Sequence, residues 1–151
     1  MPSILIKEVH YVSYCTCSFK EVLELLPQPV FRISCAIKSQ MLSRDTEYVC
    51  FLVFKLSEKC QELHGPVEVR NLLQNNKVVE IVYFRSPSPW NIHDITRVPK
   101  QRTDGWMEVN VWKFNSNLEL EKDHVLVNLK LTSYEGSMFG LIVCGLEFRP
   151  M

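Results

Sequence analysis

The chain has 151 residues, 46% of them hydrophobic and 23% charged, which suits one globular domain with a real core and excludes a disordered segment. Lysine plus arginine and aspartate plus glutamate each number 17, so the formal net charge is zero. That balance speaks against a nucleic-acid partner, whose phosphates demand a cationic excess or stripe.

Met1 to His10 has no basic segment followed by a long apolar run, so no secretory signal is read there. The most apolar run, Tyr48 to Phe54, is strand-sized, and no membrane partner is expected. The six cysteines, Cys15, Cys17, Cys35, Cys50, Cys60 and Cys144, are accordingly expected as reduced thiols, several of them packing the core.

In chain order, Ile4 to Tyr14 is β-branched enough for a strand, with imperfect alternation. Phe19, Val22, Leu23 and Leu26 fall at helical spacing, and Pro27 closes that segment, which predicts a short helix or turn. Val30 to Lys38 alternates, with Phe31, Ile33, Cys35 and Ile37 on one face, as a half-buried strand does. Ser43 to Asp45 reads as a turn. Glu47 to Leu56 is apolar on both parities and predicts a central strand covered on both sides. Val67 to Asn71 and Val78 to Phe84 predict a hairpin turning at Asn75-Asn76. Ser86 to Asp104, with Pro87, Pro89 and Pro99, reads as a long surface loop.

Three strands follow: Trp106 to Val111, His124 to Tyr134 and Phe139 to Phe148. Val125, Val127, Leu129 and Leu131 share one face of the second. Ile142, Cys144, Leu146 and Phe148 are expected to share one face of the third. Many short strands with turns between them predict an all-β chain folded as an antiparallel β-sandwich. Its core is expected to bury Leu52, Phe54, Val109, Leu129 and Ile142.

Chemistry-bearing patterns are sparse. There is no Gly-x-Ser-x-Gly elbow and no local Cys–His signature, so no catalytic residue is assigned and the chain is not expected to be an enzyme. His93-Asp94 reads as a solvated loop pair. Cys15-x-Cys17 and Cys60-x-x-x-His64 lack the paired spacing of a zinc site, so no metal is expected. With five glycines and no phosphate loop or dinucleotide fingerprint, no cofactor is expected either.

Aromatic rings offer another route, because sugar rings stack their C–H faces on Trp or Tyr while hydroxyls find polar neighbours. Trp90 stands in the Pro-rich loop without a periodic reason to be there. Tyr134-Glu135 puts a ring beside a carboxylate at a turn between strands. These three residues are the candidate carbohydrate contacts. Trp106 is read as core, and Trp112 and Lys113 as rim.

Asp104-Gly-Trp-Met-Glu-Val109, followed by Phe114, resembles the signature of the phloem protein 2, or Nictaba-like, lectins of plants. Phe19-Lys-Glu-Val-Leu-Glu-Leu25 leading into Val30-Phe-Arg-Ile33, the Thr46 to Leu56 strand, and Gly140-Leu-Ile-Val-Cys-Gly-Leu-Glu-Phe-Arg-Pro150 resemble further family segments in the same order. Pro66-Val-Glu-Val69 is similar to the branch that follows an F-box. The resemblance spans most of residues 19 to 150 and implies a jelly-roll-like sandwich over 19–151, preceded by a shortened strand segment over 1–18.

It also implies a cytoplasmic or nuclear lectin for N-acetylglucosamine oligomers, N-glycan cores or glycoproteins that carry them, with a homodimer as an open alternative. A ubiquitin-ligase adaptor role follows only if an F-box lies upstream, since 151 residues leave no length for one here. Three family features differ: the Gly of the first sheet strand is Cys35 here, and two further segments are changed. The opening tryptophan cluster is replaced by Tyr11-Val-Ser-Tyr-Cys-Thr-Cys17, and Trp-Lys-Ser-Gly is replaced by Ser137-Met-Phe-Gly140. These differences motivate the alternative of a protein-interaction module that keeps the lectin fold without its sugar site.

Overall fold

A computed structural model of the chain describes residues 4–6, 10–11, 15–19, 22–86, 97–116 and 123–151. Its strands are β1 (Ile4–Ile6), β2 (His10–Tyr11), β3 (Cys15–Phe19), β4 (Val22–Leu25), β5 (Val30–Lys38), β6 (Glu47–Leu56), β7 (Val67–Asn71), β8 (Lys77–Val82), β9 (Lys100–Gln101), β10 (Met107–Asn115), β11 (His124–Ser133) and β12 (Leu141–Pro150). They form two antiparallel sheets. Sheet A runs β3-β4-β12-β6-β10-β9, with β1 also on β12, and sheet B runs β2-β5-β11-β7-β8. This is the expected β-sandwich. The described residues include a 3-10 turn at Ser39–Met41, and no helix among them is long and apolar enough to cross a membrane.

Alternation explains most of the core. In β5, Phe31, Ile33, Cys35 and Ile37 are buried while Arg32, Ala36 and Lys38 are exposed. The β5 strand pairs along its length with β11, whose Val125, Val127, Leu129 and Leu131 point inward from the facing register positions. Sheet A supplies the opposite wall, with Leu52 and Phe54 of β6, Val109 of β10, and Leu146 and Phe148 of β12. Phe54 meets Phe84 edge-on at 4.9 Å, and Phe114 stacks on Trp112 at 4.8 Å. At roughly 1.5–3 kcal/mol per fully buried large side chain, this two-walled core dominates stability. The hairpin turn lies where expected, with Asn75 and Asn76 both at φ 56, the left-handed region Asn tolerates and tight hairpins need.

Four expectations are corrected. Val22–Leu25 is a strand, not a helix: Leu23 and Glu24 pair with Val143 and Ile142 of β12, and that tertiary pairing overrides a weak local period. The last strand does not hold one alternation, because a bulge at Cys144 shifts the register between Val143 and Gly145. Leu141 and Val143 therefore join the core with Leu146 and Phe148, while Ile142 turns to the other face beside Lys55 and is only half-buried. Residues 86–104 are not loop throughout, since β9 pairs with β10. Trp106 is half-buried outside the core, with the Lys55 ammonium 4.3 Å from its ring centre. As expected, β6 is central, flanked by β10 and β12.

Cys35, Cys50, Cys60 and Cys144 are free and buried. Burial pushes the Cys35 thiol up to about 12 and raises the Cys50 thiol well above its ordinary value, with Cys35 adding a smaller repulsion there. Thiols so placed are packing groups rather than nucleophiles. Cys60 lies in the 57–66 segment, where the Arg85 guanidinium donates to its carbonyl at 2.6 Å and to the Glu62 carbonyl at 3.0 Å. His64 turns its Nε2 to the Gln61 carbonyl at 3.1 Å.

Candidate functional site

Trp90, His93 and Asp94 lie outside the described residues. Tyr134 and Glu135 lie in the turn that leaves β11, and the structure gives them different surroundings. The Tyr134 ring is 67% exposed, an unusual position for an aromatic, and its hydroxyl donates to Glu68 Oε1 at 3.2 Å. Arg70 binds the same Glu68 carboxylate. Glu135 folds over Gly65 so closely that a Cβ there would overlap its carboxylate. The neighbouring Glu62 accepts from the Ser137 N–H at 3.0 Å. The turn thus presents one wet ring and two carboxylates on a frame made by the 57–66 and 133–140 segments, an arrangement able to stack on a sugar face and accept from its hydroxyls. Glu68 was not singled out from sequence, where it is one more polar residue of an alternating strand.

The sequence segments that carry the family resemblance meet elsewhere, on the outer face of sheet A. Arg102 donates to Asp104 at 3.1 Å, to Glu147 at 2.9 Å and to Glu108 at 3.5 Å. Arg149 closes the ring by binding Glu108, and it also lies 3.4 Å from Glu147. Asp104 and Glu108 come from the Asp-Gly-Trp-Met-Glu segment, and Glu147 and Arg149 from the chain's last strand. Asp104 also accepts from the Trp106 N–H at 3.1 Å, tightening the turn that joins β9 to β10, where Gly105 takes φ 87. That N–H first, and then Arg102, hold the Asp104 carboxyl below its ordinary value. Burial draws Arg102 down, but hydrogen bonds and charge from Glu147 and Asp104 outweigh it and leave the guanidinium raised. Arg149 is lowered, by burial first and by the charge of Arg102 second. The side chains of Arg102, Glu108 and Glu147 are 17%, 10% and 9% exposed, so these three are mostly withdrawn from water and depend on one another, while Asp104 and Arg149 reach solvent at the rim.

Cross-strand register sorts this face into rows. Asn110, Phe51 and Glu147 form one row, and Lys113, Val49 and Arg149 another. Lys100, Glu108, Val53 and Gly145 form a third. A bulge in β10 between Asn110 and Trp112 makes the first two possible. Side chains three apart in a regular strand point to opposite faces, and the extra residue, Val111, puts Asn110 and Lys113 on the same one while turning Trp112 into the core. Trp112 is therefore buried rather than at the rim, and Lys113 is exposed. The Arg149 guanidinium covers the Phe51 ring at 3.8 Å.

Two cavities flank β10. One of about 190 Å³ is walled by Val49, Phe51 and Val98 and edged by Lys100, Glu108, Asn110 and Lys113. The other, about 450 Å³, opens between β8 and β10, with Gln74, Lys77, Glu80, Trp112, Phe114 and Asn115 around it and Lys113 shared.

Residues 6–150 match the family model for phloem protein 2. Among curated proteins of Arabidopsis thaliana, the chain is 33% identical over 147 residues to F-box protein At2g02240, covering 93% of this chain and 45% of that protein. It is 31% identical to the putative F-box protein PP2-B2, covering 93% and 46%. F-box protein PP2-B7 is 27% identical, covering 85% and 45%. The chain thus spans about half the length of these relatives. A two-sheet sandwich whose charged outer network is built from the signature segments, together with a family match across nearly the whole sequence, leads to one assignment: this chain belongs to the phloem protein 2 family.

Proposed function

We propose that the chain is a non-catalytic glycan-recognition domain for N-acetylglucosamine oligomers or N-glycan cores. We further propose that it serves as the substrate-selecting part of an F-box ubiquitin-ligase adaptor acting in the cytoplasm or nucleus. The adaptor part rests on relatives named as F-box proteins. The glycan part rests on the lectin-like family and, within this chain, on one observation: the exposed Tyr134 ring meets the Glu68 carboxylate, with Glu135 next to it in the same turn. In this reading the ring packs against a pyranose face, and the carboxylates accept hydroxyl hydrogen bonds. Trp90 is proposed as a further contact, and a second copy of the chain as a further partner. One stacking ring on an open surface buries little area, so Kd is expected between micromolar and millimolar, about −4 to −8 kcal/mol.

Calorimetry with chitotriose tests this. Tyr134→Ala should abolish the heat with the fold intact, and Tyr134→Phe should keep most of it. If Trp90 is the anchor, Trp90→Ala does this instead. If the unmodified chain gives no heat and a glycan array shows no N-acetylglucosamine-dependent signal, a second reading takes over. That reading is a protein-interaction module on the same fold, favoured by the absence of tryptophan from Tyr11 to Cys17.

A further inference from the structure

The outer face of sheet A holds polar groups that nothing in the network or the Tyr134 turn uses. Asn110 is 8% exposed, and its buried side-chain Oδ1 has no hydrogen-bond partner. An orphaned amide of this kind is rare in a folded protein and marks a place where a partner is missing. Asn110 lines the smaller cavity. Its χ2 is a soft torsion, so a small rotation offers Oδ1 to the cavity and breaks no hydrogen bond, because Oδ1 makes none.

The cations around the two cavities divide in the same way. Arg102 and Arg149 are committed to carboxylates, and Glu80 has Arg97 at 3.8 Å. Lys77, Lys100 and Lys113 edge the cavities outside all of the ion pairs among the described residues. The network's own charges nearly cancel, with two guanidinium groups against three carboxylates, so the three lysines leave the β10 edge cationic on a chain of zero net charge. Glu108 and Glu80 also line the cavities but are paired with Arg102 and Arg149 and with Arg97, which leaves the lysines as the uncommitted charges there.

We propose that this edge binds an acidic oligosaccharide, a short run of hexuronic-acid units. One ring enters the 190 Å³ cavity, gives a hydroxyl hydrogen bond to Asn110 and sets its carboxylate between Lys100 and Lys113, while the next ring lies in the 450 Å³ cleft toward Lys77. Each part of such a ligand has a counterpart on the protein. Val49, Phe51 and Val98 receive the C–H face, Asn110 takes a hydroxyl, Gln74 and Asn115 extend the amide lining, and the lysines take the carboxylates. A phosphate ligand fits less well, because the arginine forks that grip phosphate bidentately are already occupied. Lys113 borders both cavities, so a ligand that fills both must pass it. The site shares no residue with the Tyr134 turn and does not depend on chitotriose binding.

The test is calorimetry of the whole chain with α-1,4-linked trigalacturonate, its neutral reduced counterpart, chitotriose and inorganic phosphate. Trigalacturonate is expected to bind saturably and more weakly as salt is raised. Lys113→Gln and Asn110→Leu should each weaken it at least tenfold, with unchanged circular dichroism, while Tyr134→Ala leaves it within twofold. The neutral trisaccharide should bind at least tenfold more weakly. No saturable trigalacturonate binding overturns the proposal, as does equal affinity for the neutral sugar, or an affinity that Lys113→Gln leaves unchanged. Displacement by equimolar phosphate also overturns it, in favour of a general anion site. Loss of chitotriose binding alone counts against the Tyr134 reading and leaves this one standing.

Discussion

The outer faces of the two sheets are built on opposite plans. On sheet B the outward positions of β5 and β11 meet water: Arg32, Ala36, Lys38 and Leu126 are exposed, and alternation is clean. On sheet A the outward positions Val49, Val53, Glu108, Asn110 and Glu147 are buried as fully as core residues. A second layer of side chains, led by the paired arginines, covers that face. One sheet therefore needs only its inner wall to be stable, while the other holds an apolar layer and an ionic layer on either side of β6.

The sharpest way to break the contrast is to remove one large group from each plan. Phe54→Ala opens a hole in the shared core and should cost about 3–5 kcal/mol in urea unfolding. Leu126→Ala on the wet face of sheet B should stay within about 0.5 kcal/mol. Equal effects would show that the outer face of sheet B is covered after all.

The next test separates necessary burial from ligand-ready burial on sheet A itself. Glu147→Ala strips Arg102 and Arg149 of a carboxylate that is itself 9% exposed and is expected to cost about 2–4 kcal/mol. Asn110→Leu removes an amide whose unpaired burial is itself unfavourable, at about 1–3 kcal/mol, so stability should hold or rise. A large loss on Asn110→Leu would mean that the amide supports the fold rather than awaiting a partner.

The smallest expected effect is a pH dependence carried by the sheet cores. The Cys35 pKa is raised from 9.0 to about 12, so the folded chain holds that proton more tightly than the unfolded one. The stability this confers is complete below pH 9 and falls as pH climbs from there toward about 12. Unfolding midpoints at pH 7 and 10 should differ in that direction, and Cys35→Ser should reduce the difference. In parallel, Cys35 and Cys50 should react with a thiol reagent only on unfolding.

Sequence reading succeeded where one rule governed a whole segment. β5 and β11 were legible because each has one wet and one dry side, and β6 was legible as central because it has none. It failed where long-range pairing set the outcome. Nothing local shows that Leu23 will pair with Val143, or that β12 gains a residue at Cys144 that sends Ile142 outward. For the candidate site, Tyr134 at an exposed turn was readable because no period claims it. The network was invisible as a site because Arg102 and Glu147 lie 45 residues apart, although the motifs it joins were conspicuous. Asn110 was missed for the same reason as Trp112: the β10 bulge changes which parity faces in, and no residue type announces it.

The two bulges also bear on how this domain can change over time. β6 is regular, and each of its neighbours runs one residue longer than β6 does across the stretch they share. Loss of Val111 would make β10 regular and keep Asn110 and Lys113 on the face they already share, and loss of Cys144 would do the same for Val143 and Leu146 in β12. Loops elsewhere can gain or shed residues at modest entropic cost. In these two strands a gain or loss away from the bulge turns every side chain beyond it to the other face, so variation there is confined to the bulged residue and to exchanging one side chain for another.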